Sequence, residues 1–346
     1  TPNPKPQTPN PKPLEKSIMC PPELLSLLPN GFITTEAIMQ ATRFVFCRGN
    51  PGLMEALKSS LGVTNSLELG CFRDGETSIQ TLSNLRKAEV VVFQSLSHPI
   101  NENLSELLLV LATLRRNGAS RVSVVMPYMA YARMDRFNGN YRAISAADVV
   151  GLIHASGAHE LHLFDIHSEQ VCGSVFGDLL VENHPGIALV ESVVEHLGLK
   201  KITLVSPDLG AVKRTRGIAA ALEKLGVEAN VAFFDKLRLK ANEVERVKLI
   251  GGEVKGENCL IVDDMIDTGG TVFQVAAALK ELGSLKVFAF ATHGLLCEPF
   301  FDRLEKSEIE KVFVSDSFHR KSQQTHDRLE IISIAKLVEE VVKKLM

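Results

Sequence analysis

The sequence predicts an α/β protein with two tandem domains, each a mostly parallel sheet flanked by helices. Two observations support this prediction. Short apolar runs alternate with amphipathic segments from Arg43 onward, and His184-Pro185-Gly186 interrupts the alternation near its middle. Because strand, helix and strand in succession imply right-handed crossovers, each series is expected to form a parallel sheet. The 346 residues suffice for two domains that each bury a core.

The first series is expected to form a domain over residues 42–184. Its elements are read from apolar runs and helical periodicity. Strands are predicted at Phe44–Cys47, Glu89–Gln94, Arg121–Met126 and Glu160–Phe164, with helices at Pro51–Leu61, Asn103–Arg116 and Ser145–Ala155.

The second series is expected to form a domain over residues 185–346. Strands are predicted at Ile202–Val205, Asn230–Phe234, Cys259–Val262, Val287–Ala291 and Val312–Ser315, with helices at Leu189–Leu197, Gly210–Leu225 and Val272–Leu282. An amphipathic helix over Ser333–Leu345 is predicted to close the domain, and its basic last turn favours a helix C-terminus.

The N-terminal residues differ from the rest of the chain. Residues 1–13, TPNPKPQTPNPKP, repeat one heptad and are rich in proline, which cannot sustain a helix or a sheet ladder. A disordered or polyproline-like tail is therefore expected. Residues 14–41 are interpreted as an N-terminal extension with short helical patterns.

Composition argues against several classes of protein. The formal net charge is −3, with acidic and basic residues interspersed, so no whole-chain charge favours nucleic acid or a membrane surface. Apolar runs stay shorter than the roughly 18 to 20 residues that a membrane helix needs. The six cysteines are scattered and form no C-x-x-C pair, which favours reduced, buried thiols in a cytoplasmic protein.

The segment from Cys259 to Thr271, CLIVDDMIDTGGT, carries the most specific chemical signal. A strand-like run ends in Asp263 and Asp264, and small and hydroxyl residues follow before a helix. Such a turn points backbone N–H groups and the positive end of a helix at one spot, which suits a phosphate. The acid pair suits ribose hydroxyls, or magnesium through its waters. Asp and Thr are also ordinary turn residues, so this motif alone leaves a structural role open.

Further polar motifs follow other predicted strands. The apolar ring and acids of FRDGE, residues 72–76, suit an adenine, although the motif is also an ordinary turn. YARMDR, residues 131–136, offers two guanidinium groups for polyphosphate. DIHSEQ, residues 165–170, offers a carboxylate and an imidazole for a metal. SPDLGAVKR, residues 206–214, places an acid before a helix, and FDKLR, residues 234–238, places two cations where a mobile loop is expected.

The order and separations of these six motifs closely resemble the class I ribose-phosphate diphosphokinases, also called PRPP synthetases. The resemblance runs from about Arg43 to the C-terminus and implies two type I phosphoribosyltransferase-like domains. It implies transfer of the β,γ-diphosphoryl group of ATP to the 1-hydroxyl of ribose 5-phosphate, giving PRPP and AMP for nucleotide biosynthesis. It also implies Mg²⁺ as cofactor and a cytoplasmic homo-oligomer, a hexamer built from dimers, with homologous subunits as further partners.

The resemblance assigns roles by matching position. ATP-binding residues are expected at Phe72, Asp74, Glu76, Arg133, Asp135 and His167, with adenine held partly by a neighbouring subunit. Ribose 5-phosphate-binding residues are expected at Asp263, Asp264, Asp267, Thr268, Gly269, Gly270 and Thr271. Metal ligands are expected at Asp165, His167 and Asp208, and catalytic residues at Lys236, Arg238 and His167.

Several positions depart from the family pattern and leave two alternatives open. Met134 stands where the family usually has a glutamine, and Asn138 where it usually has an aspartate. Asp178 and Glu182 stand where the family has a pair of aspartates. These changes suit a regulatory subunit without efficient turnover. A phosphoribosyltransferase that uses PRPP is a third hypothesis, but it does not explain a full second domain. The presence of His167 and of the cations in FDKLR favours the diphosphokinase.

Overall fold

The computed structural model describes residues 42–137, 141–174, 177–237, 246–322 and 324–346, which belong to one compact unit. The expected tail over residues 1–13 and the extension over residues 14–41 lie outside the described residues.

The first sheet has five parallel strands in the order β1-β4-β5-β6-β7. These strands are β1 (Arg43–Phe46), β4 (Glu89–Phe93), β5 (Arg121–Met126), β6 (Glu160–Phe164) and β7 (Leu180–His184). The helices of this series are α1 (Pro51–Leu61), α2 (Ile100–Arg116) and α3 (Ser145–Ser156), and one 3₁₀ turn spans Glu169–Gly173. The strands β4, β5 and β6 are buried along almost their whole length, as expected for a parallel sheet covered on both faces.

The second sheet has seven strands in the order β10-β9-β8-β11-β12-β13-β14, and β10 is the one antiparallel strand among them. The strands are β8 (Lys201–Ser206), β9 (Glu228–Leu237), β10 (Arg246–Gly251), β11 (Cys259–Ile266), β12 (Val287–Gly294), β13 (Lys311–Ser315) and β14 (Leu329–Ile332). The helices are α4 (Ile187–Leu197), α5 (Val212–Lys224), α6 (Gly270–Glu281), α7 (Phe300–Lys306) and α8 (Ala335–Leu345). The predicted fold class is confirmed: the protein is α/β, with two mostly parallel sheets flanked by helices.

Some elements were not predicted from the sequence. They include β7, β10, β14, α7 and β3 (Thr77–Thr81), which pairs antiparallel with β2 (Leu67–Cys71), the strand-like run before residues 72–76, to form a hairpin. The turn of this hairpin carries residues 72–76, and Gly75 adopts a φ of 96° there. The strands β7, β10 and β14 each lie at the edge of a sheet, where partial exposure weakens the apolar signal that marks a buried strand.

One hydrophobic core joins the two sheets. It contains Phe93 of β4 and Phe290 of β12, together with apolar side chains of α1, α4, α5 and α8. The closing helix α8 packs against α1, and each sheet also has a further apolar cluster of its own. The first sheet ends with β7 at His184 and α4 begins at Ile187. A domain boundary between residues 184 and 185 stays a prediction.

The thiols are more exposed than the sequence suggested. Among the described cysteines Cys47 and Cys259 are buried, Cys172 is half-buried, and Cys71 and Cys297 are exposed. All five are free of disulfides, as predicted. In the described part of the chain, the helices are too short or too polar to cross a membrane.

Candidate active site

A cleft of about 900 Å³ opens where strands of both sheets end. Its lining includes residues that follow β5 and β6 of the first sheet and residues that follow β8 and β11 of the second. Carboxyl ends of parallel strands are where α/β folds bind ligands. Most of the polar positions singled out from the sequence converge on this cleft.

The turn at 267–271 forms one wall of the cleft and leads into α6. Gly269 is the N-cap of α6 with a φ of 73°, and a Cβ built there would lie 2.3 Å from Cε2 of Phe273. Only glycine satisfies both the left-handed backbone and this close approach. Arg303 of α7 supports the turn, because its Nη1 donates to the carbonyl oxygen of Thr268 at 2.8 Å. The backbone N–H groups of the first helical turn are thereby directed as an anion site requires.

The acid pair lies beside this turn at the end of β11. Oδ2 of Asp264 lies 2.8 Å from Nδ1 of His167, and Oδ1 of Asp264 lies 3.7 Å from Nη1 of Arg214. Burial opposes ionisation of Asp264, but His167 and Arg214 outweigh it, and the pKa of Asp264 falls below its ordinary value. Burial and the neighbouring Asp264 raise the pKa of Asp263 well above its ordinary value. Within the pair, the surroundings therefore favour the ionised form of Asp264 and oppose ionisation of Asp263.

His167 belongs to the first sheet's side of the cleft. The hydrogen bond with Asp264 raises the pKa of the imidazole, although partial burial acts in the opposite direction. Its side chain is 39% exposed, so the ring is accessible from the cleft. The residues expected for the ATP side and for the ribose side therefore meet directly in the folded chain.

Asp165, which is expected as a metal ligand, lines the cleft and also contacts other residues of the protein. Its carboxylate is buried, pairs with Nε of Arg214 at 3.0 Å and accepts a hydrogen bond from Oγ1 of Thr292. The residue adopts a φ of 45°, which is uncommon outside glycine. These contacts leave its oxygens engaged within the protein and favour a positioning role for the segment that carries His167.

Two more expected residues flank the cleft. Nη1 of Arg133 lies 2.7 Å from Oδ2 of Asp267, and this guanidinium outweighs burial and lowers the pKa of Asp267. Asp208 also lines the cleft, and its Oδ1 accepts a hydrogen bond from the backbone N–H of Ala211. Asp135 does not line the cleft, and its side chain is largely buried against Arg136.

Other expected residues lie elsewhere. Phe72, Asp74 and Glu76 are exposed on the hairpin turn and do not line the cleft, and the Phe72 side chain is 59% exposed. Lys236 belongs to the end of β9, and Arg238 lies outside the described residues. Asn138 also lies outside them.

Sequence reasoning missed several residues at the site. Arg214 bridges two buried carboxylates, and Thr292 holds Asp165 from β12. Arg214 stood within the SPDLGAVKR motif without an assigned role, and its partners were separated from it by about fifty residues on either side. The buried His293 of β12 also contacts β6 of the first sheet, since its Nε2 lies 3.0 Å from the carbonyl oxygen of Phe164.

Comparisons with known proteins agree over most of the chain. Residues 42–157 match the model for the N-terminal domain of ribose phosphate pyrophosphokinase, and residues 229–346 match the phosphoribosyl synthetase-associated domain. The ribose-phosphate pyrophosphokinase of Hyphomonas neptunium is 35% identical over 307 residues, which cover 88% of this chain and 96% of the relative. Ribose-phosphate pyrophosphokinase 2 of Enterococcus faecalis is 37% identical over 304 residues, 86% of this chain and 90% of the relative.

The fold comparison points the same way. The crystal structure of phosphoribosylpyrophosphate synthetase from Mycobacterium smegmatis superimposes with a TM-score of 0.78 at 30% identity, covering 88% of this chain and 98% of that one.

Proposed function

Because this chain belongs to the family of ribose-phosphate pyrophosphokinases, we propose that its cleft transfers the β,γ-diphosphoryl group of ATP to ribose 5-phosphate. The observation that carries the proposal is the contact of His167 with Asp264, at 2.8 Å. This contact joins the proposed ATP side to the proposed ribose side. The 1-hydroxyl oxygen of ribose attacks the β-phosphorus and gives up its proton to solvent, the bond from that phosphorus to the oxygen bridging to the α-phosphate breaks, and AMP leaves.

The second sheet supplies the proposed ribose 5-phosphate site. Asp267, Thr268, Gly269, Gly270 and Thr271 hold the 5-phosphate, through the N–H groups and hydroxyls that surround the start of α6. Asp263 and Asp264 accept hydrogen bonds from the ribose hydroxyls. Because the two aspartates are buried and held in place, they fix the sugar with its 1-hydroxyl in one orientation.

The first sheet supplies the proposed ATP side. Arg133 and His167 bind the triphosphate, and a guanidinium beside a phosphate forms the strong, charge-assisted type of hydrogen bond. Asp135 is also proposed for ATP binding; it pairs with Arg136, which lines the cleft. In the bound state we expect Arg133 to exchange its contact with Asp267 for phosphate oxygens.

The cleft also fits Mg²⁺, because carboxylate oxygens of Asp208 and of the acid pair lie in its lining. Asp165, His167 and Asp208 are the proposed ligands from this chain, and Asp165 would in addition hold Arg214. When bound, Mg²⁺ would neutralise charge on the phosphate oxygens.

Lys236 and Arg238 are proposed to stabilise charge on the transferred group. The proposal rests on their place in the FDKLR motif at the end of β9. A cationic donor at a reacting phosphate typically changes the rate by about a hundredfold or more.

We also propose a homo-oligomer, a hexamer built from dimers, in which the hairpin residues Phe72, Asp74 and Glu76 reach the adenine in a neighbouring subunit. The support is that all three are exposed and lie away from the cleft of their own chain. Homologous subunits are further candidate partners. A cytoplasmic location is proposed from the free cysteines.

The experiment is to incubate purified full-length protein with ATP, Mg²⁺ and ribose 5-phosphate and to follow AMP and PRPP. Formation of both in equal amounts is expected. A regulatory subunit would form neither, and a phosphoribosyltransferase would instead release diphosphate from PRPP and a base. Omission of ribose 5-phosphate is the control, because simple ATP hydrolysis would persist without it.

A further inference from the structure

A cluster of two histidines and one glutamate lies on β6 and β7, outside the cleft described above. Nδ1 of His162 lies 3.2 Å from Nε2 of His184 and 3.6 Å from Oε2 of Glu182, and these last two atoms are 4.0 Å apart. No other group of three such side chains with this spacing is found among the described residues. None of the three residues lines the cleft.

The separations match those of a transition-metal site. Two ligands about 2.1 Å from Zn²⁺ at a tetrahedral angle are about 3.4 Å apart. The three measured edges lie between 3.2 and 4.0 Å, so small side-chain shifts would bring all three atoms to bonding distance. Two imidazoles and one carboxylate suit Zn²⁺ or Co²⁺ far better than Mg²⁺, which prefers oxygen ligands.

The sheet holds the three residues in place. His162 pairs with Glu182 in the parallel register of β6 and β7, and His184 lies two residues further on the same face. Side chains on neighbouring strands are held more precisely than side chains on loops. Glu182 is half exposed and His184 is 19% exposed, so a metal ion and a water ligand can reach the cluster.

The surroundings of His162 supply a second, independent observation. The ring is 1% exposed, and its Nε2 has no hydrogen-bond partner within the described part of the chain. This atom faces Oε2 of Glu160 at 3.7 Å, and that same oxygen accepts a hydrogen bond from Oγ of Ser123. Histidines that bind a metal through one nitrogen commonly direct the other N–H at a carboxylate, and the carboxylate of Glu160 lies in the matching place beside His162.

We propose that His162, Glu182 and His184 form a binding site for a divalent transition metal, of the Zn²⁺ class, with water completing the coordination. The site ties β7, an edge strand, to β6. The same strand pair supports the cleft, because Asn183 accepts a hydrogen bond from the N–H of Ile166 and the N–H of Asp165 donates to the carbonyl oxygen of His184. The metal stabilises this pairing and takes no part in the transfer reaction.

Co²⁺ titration of the full-length protein in excess Mg²⁺ tests the proposal, with the visible absorption of Co²⁺ as the readout. One tightly bound equivalent is expected, displaced by Zn²⁺. His184→Gln and Glu182→Gln should each weaken the affinity by at least about tenfold, given that even the loss of an outer hydrogen bond weakens such sites by about 10- to 100-fold. These two partly exposed residues keep the test valid if a variant of the buried His162 does not fold.

His154→Gln is the matched control, because His154 also lies beside a carboxylate, Asp178 at 3.4 Å, but outside any group of three ligands. Its Co²⁺ affinity should equal that of the unchanged protein. Zn²⁺ should raise the melting temperature of the unchanged protein and of His154→Gln, but not that of His184→Gln. Equal Co²⁺ affinity in all variants, or no binding in excess Mg²⁺, would overturn the proposal and leave a hydrogen-bonded histidine pair only.

Discussion

Nδ1 of His167 lies 2.8 Å from Oδ2 of Asp264, although 97 residues separate the two in the chain. His167 follows β6 of the first sheet and Asp264 lies in β11 of the second. The contact therefore joins the two halves of the cleft through one hydrogen-bonded pair of side chains. Its strength and its pH dependence are open to measurement.

The first prediction concerns the pKa of His167. In Asp264→Asn the imidazole loses the hydrogen bond that raises its pKa, so the pKa should fall toward the ordinary value of about 6.5. A pH titration of the histidine ring signals by NMR in substrate-free protein measures it. Asp267→Asn is the control, since Asp267 does not contribute to this pKa. An equal pKa in the two variants would show that Asp264 is not the partner.

The pH dependence of folding stability follows from the pKa shifts of His167 and Asp264. The stabilisation of the folded state by His167 is fully present below its unfolded-state pKa of about 6.5. It is lost as the pH rises through the raised pKa of the folded state. The contribution of Asp264 is present above about 3.8 and is lost as the pH falls through its lowered folded value.

The second prediction concerns the phosphate turn. Gly269→Ala requires a left-handed backbone, which costs about 1–2 kcal/mol, and also pushes a methyl group into Phe273. We expect a lower melting temperature and loss of ribose 5-phosphate binding, measured by thermal unfolding and calorimetry. Gly270→Ala is the matched control for stability, because its new Cβ meets nothing closer than 3.4 Å. Equal melting temperatures for both variants would contradict the strain argument.

The third prediction concerns Arg214, which lies between two buried acids. Arg214→Gln leaves the buried carboxylate of Asp165 without its cation and Asp264 with His167 alone, and removal of one partner from a buried pair costs about 3–5 kcal/mol. Denaturant unfolding should show this loss. Arg216→Gln, on the same helix but exposed and in contact with the ring of Phe233, should cost about 1 kcal/mol or less. A similar effect of both substitutions would show that Arg214 does not hold the acids.

The fourth prediction concerns the catalytic cations. Lys236→Ala should lower kcat by about a hundredfold or more and leave ribose 5-phosphate affinity nearly unchanged, since the charge acts in the transition state. Steady-state kinetics and a separate binding measurement distinguish the two effects. Lys248→Ala, an exposed cation on β10, should leave kcat unchanged. An unchanged kcat in the Lys236 variant would remove this residue from the mechanism.

The fifth prediction tests the shared site between subunits. Phe72→Ala and His167→Ala are each expected to be nearly inactive, because one lacks the adenine contact and the other the phosphate contact. If the hairpin serves a neighbouring subunit, then co-refolding the two variants creates mixed oligomers that retain one intact site. Activity above that of either variant alone is expected. Mixtures as inactive as their components would place Phe72 in the site of its own chain or outside any site.

The sequence by itself determined the features that depend on neighbouring residues. Alternation of apolar strands with amphipathic helices predicted both sheets, and the helix Pro51–Leu61 and the strand Arg121–Met126 have the predicted bounds. The phosphate turn was also readable, because a strand, a glycine turn and a helix start lie within 13 residues of each other, from Cys259 to Thr271.

Only the tertiary structure decided which side chains meet. Arg214 contacts Asp165 and Asp264, and His162 approaches His184, because strand order and register bring distant segments to one place. Asp165, expected at a metal, lines the cleft and also contacts Arg214 and Thr292, two partners that the sequence did not indicate. Hydrophobic periodicity shows which face of a helix or strand is buried, but not which other element packs against that face. The partner of a charged side chain depends on that packing, so only the tertiary structure reveals it.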